Sequence, residues 1–171
     1  MRTLVLTAAL LLAACGSQSE KEVASGTVTD PETGETTDYK VTASGEGDEG
    51  NVSIKTEDGE MSFGGGAANA KLPDGFAPYP GSKMTGGFTA TGKGSQSGMA
   101  SFEAPGKAED VIAHFRKQAE AAGFKVNAEV KSGDTLMIGA AKPDDDKSGV
   151  QVTATQEGGK VTGSVTYGVG G

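Results

Sequence analysis

A single cysteine, Cys15, is the residue whose position most clearly indicates chemistry. It is the only thiol in the 171 residues, and it follows two alanines at the end of an apolar stretch over positions 4–12. A stretch of about a dozen residues is too short for a membrane-spanning helix, which needs about 20. Together with the preceding Arg2 and the small residues before the cysteine, this length is typical of a signal peptide. We therefore expect residues 1–14 to be an export leader.

The residues around the expected cleavage point resemble the signal of bacterial lipoproteins. In that family an aliphatic residue and two small residues precede an obligatory cysteine, as Leu12, Ala13, Ala14 and Cys15 do here. The resemblance implies that the Cys15 sulfur receives a diacylglyceryl group, that the leader is cut before Cys15, and that the new amino terminus is acylated, as with palmitate. Several acyl chains anchor a protein durably, whereas one holds it only marginally. An ordinary secretory leader with an incidental cysteine is the competing interpretation.

The residue after the cysteine bears on sorting. In Gram-negative lipoproteins an Asp at this position tends to retain the protein at the inner membrane, and this chain has Gly16. The resemblance therefore implies the outer membrane of the cell envelope, with the folded part in the periplasm. In an organism with one membrane, the expectation becomes the outer leaflet of that membrane.

The composition limits the partners and the size of the core. The formal net charge is -8, aromatic residues make up 5%, tryptophan is absent, and 28 residues are glycine. An acidic surface argues against a nucleic-acid partner and against an electrostatic grip on anionic lipid. With Cys15 lipidated, no thiol is left for a disulfide. We expect a monomer without a cofactor, held at the membrane through its lipid.

Changes in composition along the chain divide it into four predicted segments. After the leader, residues 15–25 are polar and are expected to be a lipidated flexible tether. Residues 26–71 show weak β patterns, including a hairpin around Asp58 and Gly59, and end in a glycine-rich linker. Both a small ordered β meander and a largely mobile arm are compatible with this segment. Residues 72–171 are expected to form the main domain.

The main domain is predicted to be α+β. Apolar residues at helical spacing indicate one helix over residues 107–122, and Gly123 suits the left-handed position that ends a helix. Alternating apolar residues over 124–131, and again in three later segments, indicate strands. The predicted order is β-β-α-β-β-β-β, an antiparallel sheet with the helix packed on one face and the small β-hairpin region before it.

Residues 72–169 also resemble an uncharacterised domain of bacterial envelope lipoproteins. The likeness lies in Tyr79-Pro80-Gly81-Ser82 and in the helix segment from Phe115 to Phe124. Relatives tend to have Phe-Tyr-Arg where this chain has His114-Phe115-Arg116. These motifs are structural, so the resemblance implies a fold and no particular reaction.

Two local patterns are candidate sites. His114 is the only histidine, so no histidine-based metal cluster is expected, and we predict a solvated helix residue. Asp144, Asp146 and Ser148 have the first oxygen-ligand spacings of a calcium loop, but the twelfth position is Thr155 where a bidentate glutamate is needed. A solvated hairpin loop is the preferred interpretation.

Two classes of function therefore remain. The first is a non-enzymatic, lipid-anchored envelope protein that acts as an interaction or structural module with an unknown partner. The second is a small-ligand carrier or an enzyme with a pocket between helix and sheet, where folding brings together carboxylates such as Glu103, Asp110 or Asp134. We expect no enzyme, because no nucleophile or acid–base pair stands out in the sequence. Weak calcium binding at 144–149 is a minor third hypothesis.

Overall fold

The computed structural model describes residues 21–29, 34, 36–44, 50–67 and 69–170. These residues form one ten-stranded antiparallel sheet that does not close on itself, with one helix packed on one of its faces. The expected α+β class, an antiparallel sheet covered by a helix, is confirmed.

The sheet follows the chain for its first six strands and then reverses. Its order is β1-β2-β3-β4-β5-β6-β10-β9-β8-β7, so β1 and β7 are the two edges. The elements are β1 (Lys21–Thr29), β2 (Thr36–Ser44), β3 (Asn51–Thr56), β4 (Gly59–Gly65), β5 (Lys83–Gly92), β6 (Ser95–Pro105), α1 (Ala108–Ala121), β7 (Lys125–Ser132), β8 (Thr135–Lys142), β9 (Asp145–Glu157) and β10 (Lys160–Val169).

The helix α1 packs on β7, β8 and β9. Val111, Ile112, Phe115 and Ala119 lie on one stripe and are buried against the sheet. At the C-terminal end Gly123 has a φ of 85°, and the main-chain amide of Phe124 donates to the carbonyl of Ala119 at 2.9 Å. This pattern is a Schellman cap, which satisfies carbonyls that the last turn leaves without partners.

The N-terminal end of α1 is capped by a residue far away in the chain. Lys107 at the N-cap position makes no side-chain cap, and the amide of Ala108 instead donates to Oε1 of Gln156 at 2.9 Å. The two hydrogens on Gln156 Nε2 are in turn shared among the carbonyls of Gly106, Gly158 and Lys160, at 3.3, 2.9 and 3.0 Å. One glutamine of β9 therefore fixes both the start of the helix and the β9–β10 turn.

We expect Gln156→Ala to lower the free energy of unfolding by about 1 kcal/mol, as loss of a helix cap does. Gln151→Ala on the same strand is the matched control, because Gln151 is exposed and should change stability little. Urea unfolding followed by circular dichroism measures both variants. Equal free energies of unfolding for the two variants would show that the Gln156 cap does not stabilise the fold.

The core lies between α1 and strands β6, β8, β9 and β10. Val152, Val161 and Val165 are fully buried there, and the rings of Phe102 and Phe115 lie 5.6 Å apart. Phe102 also covers Gly163 on the neighbouring strand, where an added Cβ would come within 2.5 Å of the ring. Among the described residues, side chains therefore fill the core between the helix and these strands.

The N-terminal half of the described chain differs from the expected segmentation. Strand β1 begins at Lys21, inside the segment expected to be a tether, and all nine of its residues are exposed. The sheet also continues without a break across the expected boundary at residue 72, because β4 pairs with β5. The polar composition of β1 concealed this strand, since its main chain pairs with β2 without burying apolar side chains.

Candidate functional site

The edge strand β7 contains a β-bulge that decides which side chains face the helix. The register shifts between Val126 and Ala128, so that Glu129 pairs with Ile138 and Lys131 pairs with Leu136. Side chains paired across strands share a face, so Glu129 and Lys131 lie on the face that carries α1. Strict alternation predicts that Val130 lies on the same face of the strand as Val126. Because of the bulge, Val130 instead lies on the other face and is 47% exposed. Bulges commonly redirect side chains in this way near functional sites.

Two ion pairs join α1 to β7 across a groove. The guanidinium Nη2 of Arg116 lies 2.6 Å from Oε2 of Glu129, and Nζ of Lys131 lies 3.4 Å from Oε1 of Glu109. The Arg116 side chain is 32% exposed and Glu129 is 62% exposed. The pKa of Glu109 is lowered, first by a hydrogen bond from its own main-chain amide and then by Lys131.

The groove consists of two adjoining clefts that share the Arg116–Glu129 pair. The larger, of about 560 Å³, lies toward the Schellman cap and includes Phe124 and Val126 in its lining. The smaller, of about 310 Å³, includes Ile112 and Leu136. Charged groups on the walls above apolar side chains match the chemistry of an amphiphilic ligand. We call this feature the α1–β7 groove.

His114 is not the solvated helix residue that was expected. It is half-buried beneath the segment before β5, with its ring 5.3 Å from Tyr79 in an edge-on arrangement and its Nε2 3.2 Å from the carbonyl oxygen of Ala77. Gln118, one turn later, also bonds to Ala77 through its side-chain amide. No local pattern predicts this contact, because the partners are about 40 residues apart in the chain. His114 holds a loop against the helix.

The carboxylates considered for a helix–sheet pocket are not brought together. Glu103 lies on the sheet face away from α1 and pairs with Lys160 at 2.8 Å, which lowers the pKa of Glu103. Asp110 is exposed in the first turn of α1, and Asp134 is exposed in the β7–β8 turn. The topology of the sheet keeps the three carboxylates apart, because they lie on opposite faces or at opposite ends of the fold.

The segment with the calcium-like spacing, residues 144–149, does not form a calcium-binding loop. Ser148 is buried and donates its hydroxyl to Asp145, while its oxygen accepts the amide of Gly170 at 3.0 Å. Asp144 lies in the turn before β9, and Asp146 is exposed at the start of that strand. Within the described residues, no group of three or more His, Cys, Asp or Glu side chains is placed to hold a metal ion.

We expect Asp145 to make the end of β10 sensitive to acid. The Ser148 hydroxyl and then the Lys147 amide hold the pKa of Asp145 below its usual value, and Lys142 and Lys147 add smaller effects. A depressed pKa in the folded state adds stability above the unfolded value, which is lost as the pH falls through the folded value. We expect the melting temperature to drop below about pH 4, and Asp145→Asn to weaken that dependence. Identical pH profiles for both proteins would contradict this role.

Leu12, Ala13, Ala14 and Cys15, the residues of the expected lipoprotein signal, lie outside the described residues. Along the part of the chain that the structure describes, no helix is long and apolar enough to cross a membrane.

Comparison with known proteins gives one partial match. A family model described as START domain-like matches residues 82–160, which is fewer than half of the 171 residues. Searches of curated proteins and of solved structures found no match. The matched range runs from the residue before β5 to the first residue of β10 and includes both walls of the α1–β7 groove. The likeness of this chain is therefore to a START-like domain, over the part that holds the candidate site.

Proposed function

We propose that this chain is an exported bacterial lipoprotein, anchored through Cys15 and directed to the outer membrane, which binds an anionic amphiphile in the α1–β7 groove. The observation that carries the ligand proposal is a groove with apolar side chains in its lining and the Arg116 guanidinium between its two clefts. The START domain-like match supports a ligand-binding role for residues 82–160 of the chain. Binding without catalysis is proposed.

The charge of the ligand follows from the two partners of the central ion pair. Arg116 is the less exposed of the two and projects from a helix packed on the core, whereas Glu129 is largely exposed on an edge strand. Exposed ion pairs contribute only about 0–1 kcal/mol, so Glu129 is readily displaced. A carboxylate or phosphate of the ligand then takes its place on Arg116, since arginine binds both anions in bidentate geometry.

The apolar part of the ligand has a defined place in this arrangement. Ile112 and Leu136 lie in the lining of the smaller cleft, beside the ion pairs. An alkyl chain that lies between α1 and β7 covers these side chains and gains about 0.8 kcal/mol for each methylene buried. The ligand class is therefore a single-chain lipid or a similar molecule with one anionic group.

Titration of the full chain with laurate tests this function. We expect Arg116→Gln to weaken laurate binding about tenfold or more, because a hydrogen bond to a charged group contributes about 1.5–3 kcal/mol. Lys117→Gln removes the same charge from the neighbouring, exposed position and should leave affinity unchanged. Dodecanol, which has the same chain length without the charge, should bind both variants equally. Equal laurate affinity for Arg116→Gln and Lys117→Gln would refute the proposal.

A second candidate, a non-enzymatic interaction module, is favoured by the filled core between α1 and the sheet. Such a module needs no ligand, and its partner would contact an outer surface. The laurate titration separates the two, because a pure interaction module binds no laurate.

A further inference from the structure

The two halves of the sheet carry most of their apolar side chains on opposite faces. In β6, β8, β9 and β10 the buried apolar side chains face α1. In β2 to β5 that same face carries polar residues, since Thr42, Ser53 and Thr89 share it with the charged side chains of Lys55 and Glu60. Apart from Met84, which precedes the bulge of β5 and packs against the core, the large apolar side chains of these four strands are on the other face, away from the helix.

That other face is a continuous apolar surface, which we call the open face. Phe63 pairs directly with Phe88, with ring centroids 6.4 Å apart. The side chains of Val52, Met61 and Phe63 are 40%, 43% and 37% exposed. The charged side chains of the described strands β2 to β5 lie on the opposite face, apart from Lys83, which begins β5 and pairs with Glu103 of β6. The open face consists of Val41, Val52, Ile54, Met61, Phe63 and Phe88.

An exposed apolar patch of this kind marks an interaction surface. Edge strand β1 begins at Lys21, only six positions after Cys15. Six residues span at most about 20 Å when fully extended, so a lipid on Cys15 keeps this half of the sheet next to the bilayer. The carboxylates Glu22, Asp38 and Glu60 all lie on the opposite face, away from the lipid headgroups.

We infer that the open face docks on the phospholipid bilayer that holds the anchor. This inference rests on the lipid anchor proposed above. The contact is apolar and not electrostatic, in keeping with the net charge of -8. Docking on this face leaves the opposite face, which carries α1 and the α1–β7 groove, turned away from the bilayer.

The absence of tryptophan from the sequence allows a direct test. The processed chain is coupled through its sole thiol, Cys15, to a maleimide lipid in phosphatidylcholine vesicles, so that the test does not depend on lipidation by the cell. We expect Phe63→Trp to show a blue-shifted emission that brominated lipid quenches. Thr91→Trp, which is exposed on the opposite face, should show neither effect.

Met61→Trp is a second reporter on the open face in case Phe63→Trp does not fold. Equal quenching of the reporters on both faces, or quenching of neither, would overturn the inference. A blue shift of the open-face reporter without vesicles, together with sedimentation as a dimer, would also overturn it, because a second copy would then cover the face. Palmitate labelling of Cys15 in cells tests the anchor separately. A failure of the anchoring proposal can therefore be told apart from a failure of the docking inference.

Discussion

Phe115→Ala is expected to lower the free energy of unfolding by about 3–5 kcal/mol, the usual cost of removing a fully buried phenylalanine. Phe115 is 1% exposed, contacts the ring of Phe102, and lies at the centre of the stripe that holds α1 to the sheet. Because small domains are stable by only about 5–15 kcal/mol, the variant should be partly unfolded at moderate temperature. Urea unfolding monitored by circular dichroism gives the difference.

Lys117→Ala is the matched control for that substitution. Lys117 is two residues away on the same helix and exposed, so its truncation should change stability by less than about 0.5 kcal/mol. A loss below about 1 kcal/mol for Phe115→Ala would mean that the helix is not fixed to the sheet through this side chain. The groove wall formed by α1 would then have no rigid support.

Cys15→Ala is expected to abolish lipid attachment and to move the protein from the membrane fraction to the soluble fraction. No other residue supplies the thiol, because the chain has one cysteine. Each buried methylene contributes about 0.8 kcal/mol to anchoring, and two or more chains make it durable. Labelled palmitate followed by fractionation measures both effects.

Ser17→Ala is a control for the Cys15 substitution, since it changes a neighbouring position outside the motif. It should retain label and membrane location. Undiminished palmitate on Cys15→Ala would contradict the lipoprotein assignment, and label on both proteins found only in inner-membrane vesicles would contradict the sorting proposal alone.

The sequence predicted the features that local periodicity controls. The helix expected at residues 107–122 is present as Ala108–Ala121, and Gly123 ends it as expected. Helical spacing and a glycine cap are local signals, so they can be read from one segment. The cap by Gln156 at the other end was missed, because its partner Ala108 is 48 residues away.

The face on which each strand carries its apolar side chains was harder to relate to the core. Alternation shows that two faces differ, but it does not show which face meets the core. For β2 to β5 the apolar face is the one away from α1, which only the strand order reveals. In β7 a bulge reverses the alternation at Asn127, and this reversal is what places Glu129 opposite Arg116. The groove therefore depends on one extra residue that the sequence pattern conceals.

The amide spectrum of the full chain during laurate titration tests the central claim most directly. We predict that the shifts concentrate on α1 from Glu109 to Glu120 and on β7 from Lys125 to Lys131, and that they weaken in Arg116→Gln. Strands β2 to β5 should show little change. Shifts confined to the open face, or a spectrum that laurate leaves unchanged, would contradict ligand binding in the α1–β7 groove.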